Sequence, residues 1–181
     1  MKVFLPFSNV GREFAKLPTD NPGERFALPL SNPYHLCPTT MNAPSSLTEA
    51  EQNELLAMAK RAYEHAYAPY SNFRVGAAIL LAGGKIFYGC NVENASYGLT
   101  NCAERTAVFS AVAALGAKQV RIRAVAVVND RNVACSPCGA CRQVMSEFGP
   151  DAEIFYLGPN GMRRSSMREL LPDCFASDSF T

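Results

Sequence analysis

A regular alternation of apolar and polar positions sets in only at Leu47, and from there it spells out one element after another. Thr48 followed three residues later by Glu51 is a capping-box pair, the signature of a helix start. Leu55, Leu56, Ala59, Ala62, Tyr63 and Ala66 then recur on one helical face, and Pro69 ends that helix. Phe73 to Leu81 is an apolar run of strand length. The turn Ala82-Gly83-Gly84-Lys85 is so short that Ile86 to Gly89 must return antiparallel, as a hairpin. A polar loop, Cys90 to Thr100, leads to a second helix that stops near Gly116. Ile122 to Val128 is β-branched and apolar throughout, the composition of a strand covered on both faces. A third helix runs from Pro137 towards Phe148 and ends at Gly149. Glu153 to Leu157 is another strand, and the turn Gly158 to Gly161 sends a last strand back from Met162. A short helix, Met167 to Leu171, stops at Pro172. The order α-β-β-α-β-α-β-β-α predicts an α/β fold: a three-layer α/β/α sandwich around a mixed five-stranded sheet.

Residues 1–46 differ in character. Seven of the twelve prolines fall there, among scattered Ser, Thr and Asn, and Pro6 interrupts the one hint of helical spacing at Val3, Phe7, Val10 and Phe14. This stretch is expected to be an N-terminal extension, either disordered or a non-native start with Met41 as the natural first residue. A targeting or subunit-contact role is the other reading. The catalytic domain is expected over residues 47–181. Composition narrows the function classes. A net charge of +1 over 181 residues gives no footprint for a polyanion, so nucleic acid is not the expected partner. Basic pairs at Arg121/Arg123 and Arg163/Arg164 are too small to change that. No apolar run reaches membrane-spanning length. Seven cysteines, an odd number, with a C-x-x-C pair and no secretion signal point to a reducing compartment, by default the cytoplasm.

The chemistry concentrates at two helix starts. Cys102-Ala103-Glu104-Arg105 opens one, and Pro137-Cys138-Gly139-Ala140-Cys141-Arg142 opens the other. Cys138 and Cys141 are three apart and share a helix face; Cys102 comes from the preceding helix, and both starts are expected at the carboxyl ends of neighbouring strands. Three thiolates hold zinc with a fourth position left for water, and helix N-termini favour the thiolate form that zinc requires. Glu104, two residues from Cys102, is then placed to move protons. One alternative stays open on these residues: Cys135 joining Cys102, Cys138 and Cys141 in a closed four-thiolate structural site.

The stretches Pro69-Tyr70-Ser71-Asn72-Phe73, Asn91-Val92-Glu93-Asn94, Cys102-Ala103-Glu104-Arg105 and Pro137-Cys138-Gly139-Ala140-Cys141-Arg142-Gln143 together resemble the small homotetrameric cytidine deaminases, from about Leu47 to Phe175. The resemblance implies zinc-dependent hydrolysis of cytidine and deoxycytidine to uridine and deoxyuridine in pyrimidine salvage. It gives Glu104 the proton transfers to N3 and to the departing ammonia. Asn91, Val92 and Glu93 hold the ribose; the Ala103 amide meets the base carbonyl; Phe73 packs against the base. Tyr97 and Phe175 reach in from adjacent subunits, and Arg105 offsets the charge of a zinc thiolate. Asp173-Cys174 beside Phe175 departs from the small residues usual there.

Two rival functions compete. A blasticidin-type aminonucleoside deaminase shares the C-A-E and S-P-C-G-x-C-R motifs, but the intact Asn91–Asn94 loop and Phe73 favour cytidine. A zinc-stabilised binding module without catalysis is the reading from outside enzymology. An assembly is expected as well. The run Ala107 to Leu115 has almost no charged face, and a helix apolar nearly all round needs cover on more than one side.

Overall fold

The computed structural model describes residues 46–175, all within one compact unit of the chain, Asn42–Thr181. The extension expected over residues 1–46 therefore lies outside the described residues, except for its last position.

Helix α1 spans Glu49–Tyr63 and is started by the Thr48/Glu51 box: the Thr48 amide donates to Glu51 at 2.9 Å, and the Glu51 amide donates to the Thr48 hydroxyl at 3.3 Å. Strands β1 (Val75–Leu81) and β2 (Ile86–Cys90) form the predicted hairpin, with Ala78 opposite Tyr88. Helix α2 is Ala103–Leu115, β3 Ile122–Asn129, α3 Gly139–Phe148, β4 Glu153–Gly158, β5 Gly161–Ser166 and α4 Met167–Leu170. Two starts differ from expectation. β1 begins at Val75 rather than Phe73, because the Phe73 and Arg74 amides donate to the Ser71 and Asp130 side chains instead of to a neighbouring strand. α3 begins at Gly139 rather than Pro137, because Cys138 stays extended as the N-cap.

The sheet runs in the order β2-β1-β3-β4-β5, with β3 and β4 parallel and the other pairs antiparallel. β2 and β3, which lead to α2 and α3, are therefore not neighbours: β1 lies between them. Both are antiparallel to β1, so they still point the same way and deliver both helix starts to one edge.

The period-two alternation of β1 and β3 sorts their side chains into two cores. On one face Ala77, Ile79, Leu81, Val125 and Val127 pack with Ala107, Val108 and Ala111 of α2 and with Cys141 and Met145 of α3. On the other, Ala78, Leu80, Ala124, Ala126 and Val128 pack under Leu55 and Ala59 of α1 alone. Alanines on the α1 side let that helix approach closely, and Gly76 carries the limit: a Cβ there would overlap the Ala59 carbonyl. Gly89 does the same for α2, where a Cβ would meet the Ala107 amide. The helix expected to need cover on more than one side is covered on one. Ala103, Glu104, Ala107, Val108 and Ala111 are buried, while Phe109 (49 % exposed), Ala113 and Ala114 face outward.

Candidate active site

Both cysteine-bearing helix starts use the same local device. Cys102 is the N-cap of α2 and Cys138 the N-cap of α3, each in extended backbone and neither spending its side chain on capping. Their sulfurs stay free to face each other, 3.9 Å apart. Cys141, in the first turn of α3, is buried and completes the cluster: the three Sγ atoms all lie within 4.8 Å of one another. Tetrahedral zinc with Zn–S bonds of about 2.3 Å separates its sulfurs by about 3.8 Å, so this donor set fits zinc. Cys135 lies outside the group; its amide is tied to the Leu157 carbonyl at 2.8 Å. Among the described residues the cluster thus has the three-thiol form, with no fourth cysteine in place to close it.

Electrostatics favour deprotonation at one corner. The Cys141 thiol donates towards Cys102, and with the Arg105 guanidinium this draws the Cys102 thiol well below its ordinary range. The same pairing, with burial, pushes Cys141 up. Arg105 donates through Nη2 to the Cys102 sulfur at 3.7 Å and to the Thr100 carbonyl at 3.2 Å, while its Nε is buried without a hydrogen-bond partner. Two helix N-termini add their partial positive charge to this corner. Glu104, at 4 % exposure, is one of few buried charged side chains, and burial, then the nearby Cys102 thiolate, raises its carboxyl above the usual range. It interacts with Cys141 as well. A carboxyl inside the domain beside three thiols, with no lysine or arginine salt bridge, costs stability unless it has a chemical use.

The loop Asn91–Glu93 is bound to this centre through its backbone. Val92 exchanges two hydrogen bonds of 3.0 Å with Asn101, the residue before Cys102. Val92 therefore serves by its main chain, its side chain being 44 % exposed. Asn91 is buried; its Oδ1 accepts from the Val75 amide at 2.8 Å and its Nδ2 donates to the Phe73 carbonyl at 2.9 Å. One Nδ2 hydrogen remains for a ligand. Glu93 accepts from the Tyr70 amide at 2.9 Å, the Ser71 amide at 3.2 Å and the Ser71 hydroxyl. These bonds, the hydroxyl first, hold its carboxyl below the ordinary range. Phe73 is half-buried and packs against the same core as Cys102.

A cavity of about 320 Å³ opens beside this loop, lined by Tyr70, Ser71, Glu93, Tyr97 and Thr100. That is the lower end of ligand-pocket volumes. The cysteines are not in its lining; Thr100 joins the two regions, its carbonyl held by Arg105. Tyr97 is 76 % exposed and leans edge-on against Tyr70, ring centres 6.0 Å apart. Phe175 is 61 % exposed, and its carbonyl accepts from Gln143 at 2.7 Å. The structure thus gathers Cys102, Cys138, Cys141, Glu104, Ala103 and Arg105 at the helix starts and sets Asn91, Val92 and Glu93 beside them. Tyr97 and Phe175 project from the chain's own surface. Ser71, which bridges Glu93 and the Phe73 amide (3.0 Å), is a member that sequence reasoning missed. Its place between Tyr70 and Phe73 in a quoted motif was the one available signal.

The family model for the "cytidine and deoxycytidylate deaminase zinc-binding region" matches residues 49–157, more than half of the chain. The chain belongs to that deaminase family. Among curated family members, a cytidine deaminase of Halalkalibacterium halodurans is 47% identical over 130 residues, 71% of this chain and 96% of that protein. One from Sporosarcina psychrophila is 45% identical over 130 residues, covering 71% and 93%. Of solved cytidine deaminases, that of Burkholderia pseudomallei superimposes with a TM-score of 0.63 at 51% identity, covering 71% of this chain and all of the other. That of Mycobacterium tuberculosis gives 0.60 at 42%, covering 69% and 97%. The five-stranded mixed sheet with flanking helices is thus the cytidine deaminase fold.

Proposed function

We propose that this deaminase hydrolyses cytidine and deoxycytidine, with zinc held by Cys102, Cys138 and Cys141, as a step of pyrimidine salvage. The observation that carries the proposal is the buried Glu104 carboxylate in contact with a three-sulfur cluster of zinc dimensions. Bound there, zinc supplies water acidic enough to act as a nucleophile near neutral pH. The reaction adds water at C4 of the pyrimidine and releases ammonia, leaving uridine. Glu104 takes one proton from water and delivers it to N3, then takes the second from the C4 hydroxyl and gives it to the departing amine. Burial keeps its carboxyl readily protonated, which suits a group that must both accept and give. The Ala103 amide, in a helix first turn without an intrahelical acceptor, is free to donate to the base carbonyl. Asn91, Val92 and Glu93 hold the ribose, and Phe73 packs on the base.

Tyr97 and Phe175 then belong to a neighbour's pocket, in a homotetramer with shared sites. The outward Phe109, Ala113 and Ala114 of α2 supply an apolar face for such an assembly. Among the described residues no helix is long and apolar enough to cross a membrane, and the six described cysteines are free thiols. A reducing compartment, the cytoplasm, fits these thiols. Residues 1–46 are an extension outside the catalytic domain.

Incubating the purified protein with cytidine, deoxycytidine and blasticidin while following absorbance tests the reading. Loss of the cytidine and deoxycytidine signals is expected. Turnover of blasticidin alone would assign the chain to the antibiotic deaminases, and no turnover with zinc bound would leave a binding module.

A further inference from the structure

We propose that Arg131 is a positioning residue for the nucleoside pocket: from the β3–α3 connection it fixes the Tyr70–Phe73 loop and, through it, Glu93 and the Phe73 ring. The proposal rests on the reading of Glu93 and Phe73 as substrate-binding groups. Arg131 Nη2 donates to the Ser71 carbonyl at 3.2 Å and to the Asn72 carbonyl at 2.8 Å. Its guanidinium also lies over the Phe73 ring, 5.6 Å from the centroid, within cation–π range. Arginine suits this place because one guanidinium nitrogen carries two hydrogens for the two carbonyls while the planar group covers a ring.

Arg131 is itself held from behind. The Asn129 side chain accepts from the Arg131 and Val133 amides, both at 3.1 Å, and donates to the Val133 carbonyl at 2.8 Å. Next to it, Asp130 accepts from the Arg74 amide at 3.2 Å and from Arg74 Nε at 2.9 Å. That ion pair is open to solvent on its Arg74 side, which weakens it. Arg131 adds to two anchors of the Tyr70–Phe73 loop, the Asn72 amide on the Ala68 carbonyl at 3.0 Å and Asn91 Nδ2 on the Phe73 carbonyl at 2.9 Å. The amides of Tyr70, Ser71 and Phe73 donate to side chains, Glu93 and Ser71, and Asn72 sits in left-handed backbone. Freeing the loop therefore frees the Glu93 carboxylate and the Phe73 ring together. The cysteines and Glu104 stay where α2 and α3 hold them.

The test compares the full-length zinc enzyme with Arg131→Ala and Arg131→Lys. Losing a doubly bonded charged donor should raise KM for cytidine about tenfold, with kcat within about threefold and zinc content unchanged. Lysine keeps the charge but not the planar group over Phe73, so its KM should fall between the two. Hydrogen exchange supplies a readout independent of turnover: the Tyr70, Ser71 and Phe73 amides should exchange faster in Arg131→Ala, and those of α2 and α3 should not. Unchanged KM and unchanged exchange in that loop, or a fall in kcat alone, would overturn the proposal. If Arg131→Ala fails to fold, Arg131→Lys decides by the same two readouts. Should the parent not deaminate cytidine, the functional reading fails, and the exchange measurement alone decides whether Arg131 holds the loop.

Discussion

The three-cysteine corner and the cavity beside Glu93 are built on different principles. The corner is set on helix starts against the core: Cys141 is buried, Ala103 is fully enclosed and Glu104 is 4 % exposed, while Cys102 is half-buried and Cys138 faces solvent. Its members are held by α2 and α3, whose inner faces share one hydrophobic cluster with β1 and β3. The pocket sits on loops held by side-chain hydrogen bonds across long stretches of chain, and its aromatic residues Tyr70 and Tyr97 are 49 % and 76 % exposed. One chain completes the first region and leaves the second open. Groups that move protons need a fixed, dry position, and helices in a core provide it. Groups that enclose a substrate must let it in, and under the proposed assembly a neighbouring subunit would close these loops.

This contrast predicts effects of very different size. The largest is at Glu104. Glu104→Gln keeps the shape and the three sulfurs but removes the proton carrier, so kcat should fall by at least about 10²–10⁴-fold while zinc and substrate still bind. Steady-state kinetics with metal analysis checks this; activity within tenfold of the parent would pass the proton transfers to another group.

A smaller, separable effect belongs to the open side. Phe175→Ala should raise KM several-fold with kcat and zinc nearly unchanged. Mixed with Glu104→Gln, it should regain activity, because an intact Phe175 from one subunit then covers an intact Glu104 site in another. No gain over the sum of the separate proteins would break the link between assembly and pocket.

A third effect concerns the scaffold. The Glu51 carboxyl is lowered to about 2, first by the Thr48 amide and then by Arg123, which it meets at 2.7 Å. A depressed folded-state pKa contributes stability that is fully present above the unfolded value of about 4.3 and is lost as pH falls through about 2. Glu51→Gln retains capping geometry without charge. Its melting temperature should therefore lie below the parent's at pH 7, with the gap narrowing steadily below about pH 4.5. A gap independent of pH would mean that the charge is not what stabilises the junction of α1 and β3. The smallest effect is expected at the N-terminus: a chain begun at Met41 should match the parent in kcat/KM and melting temperature.

Much of this molecule was readable one segment at a time. The Thr48/Glu51 box, the 82–85 turn and the uniformly apolar Ile122–Val128 each carry their meaning within a few residues, and each forms as the pattern implies. Cys138-x-x-Cys141 is local in the same way, three residues across one helix start, whereas Cys102 and Glu104, two apart, do not share a helix face by spacing alone. Longer-range relations did not show in the sequence. That β1 lies between the strands leading to the two cysteine helices follows from pairing, which no local pattern states. The two hydrogen bonds that tie Asn91 to the Val75 amide and the Phe73 carbonyl, and Arg131's grip on carbonyls about 60 residues away, depend on the same folded geometry. The physical reason is one of range. Periodicity and capping act between residues a turn or two apart, whereas which loops meet is decided by the packing of the whole sheet.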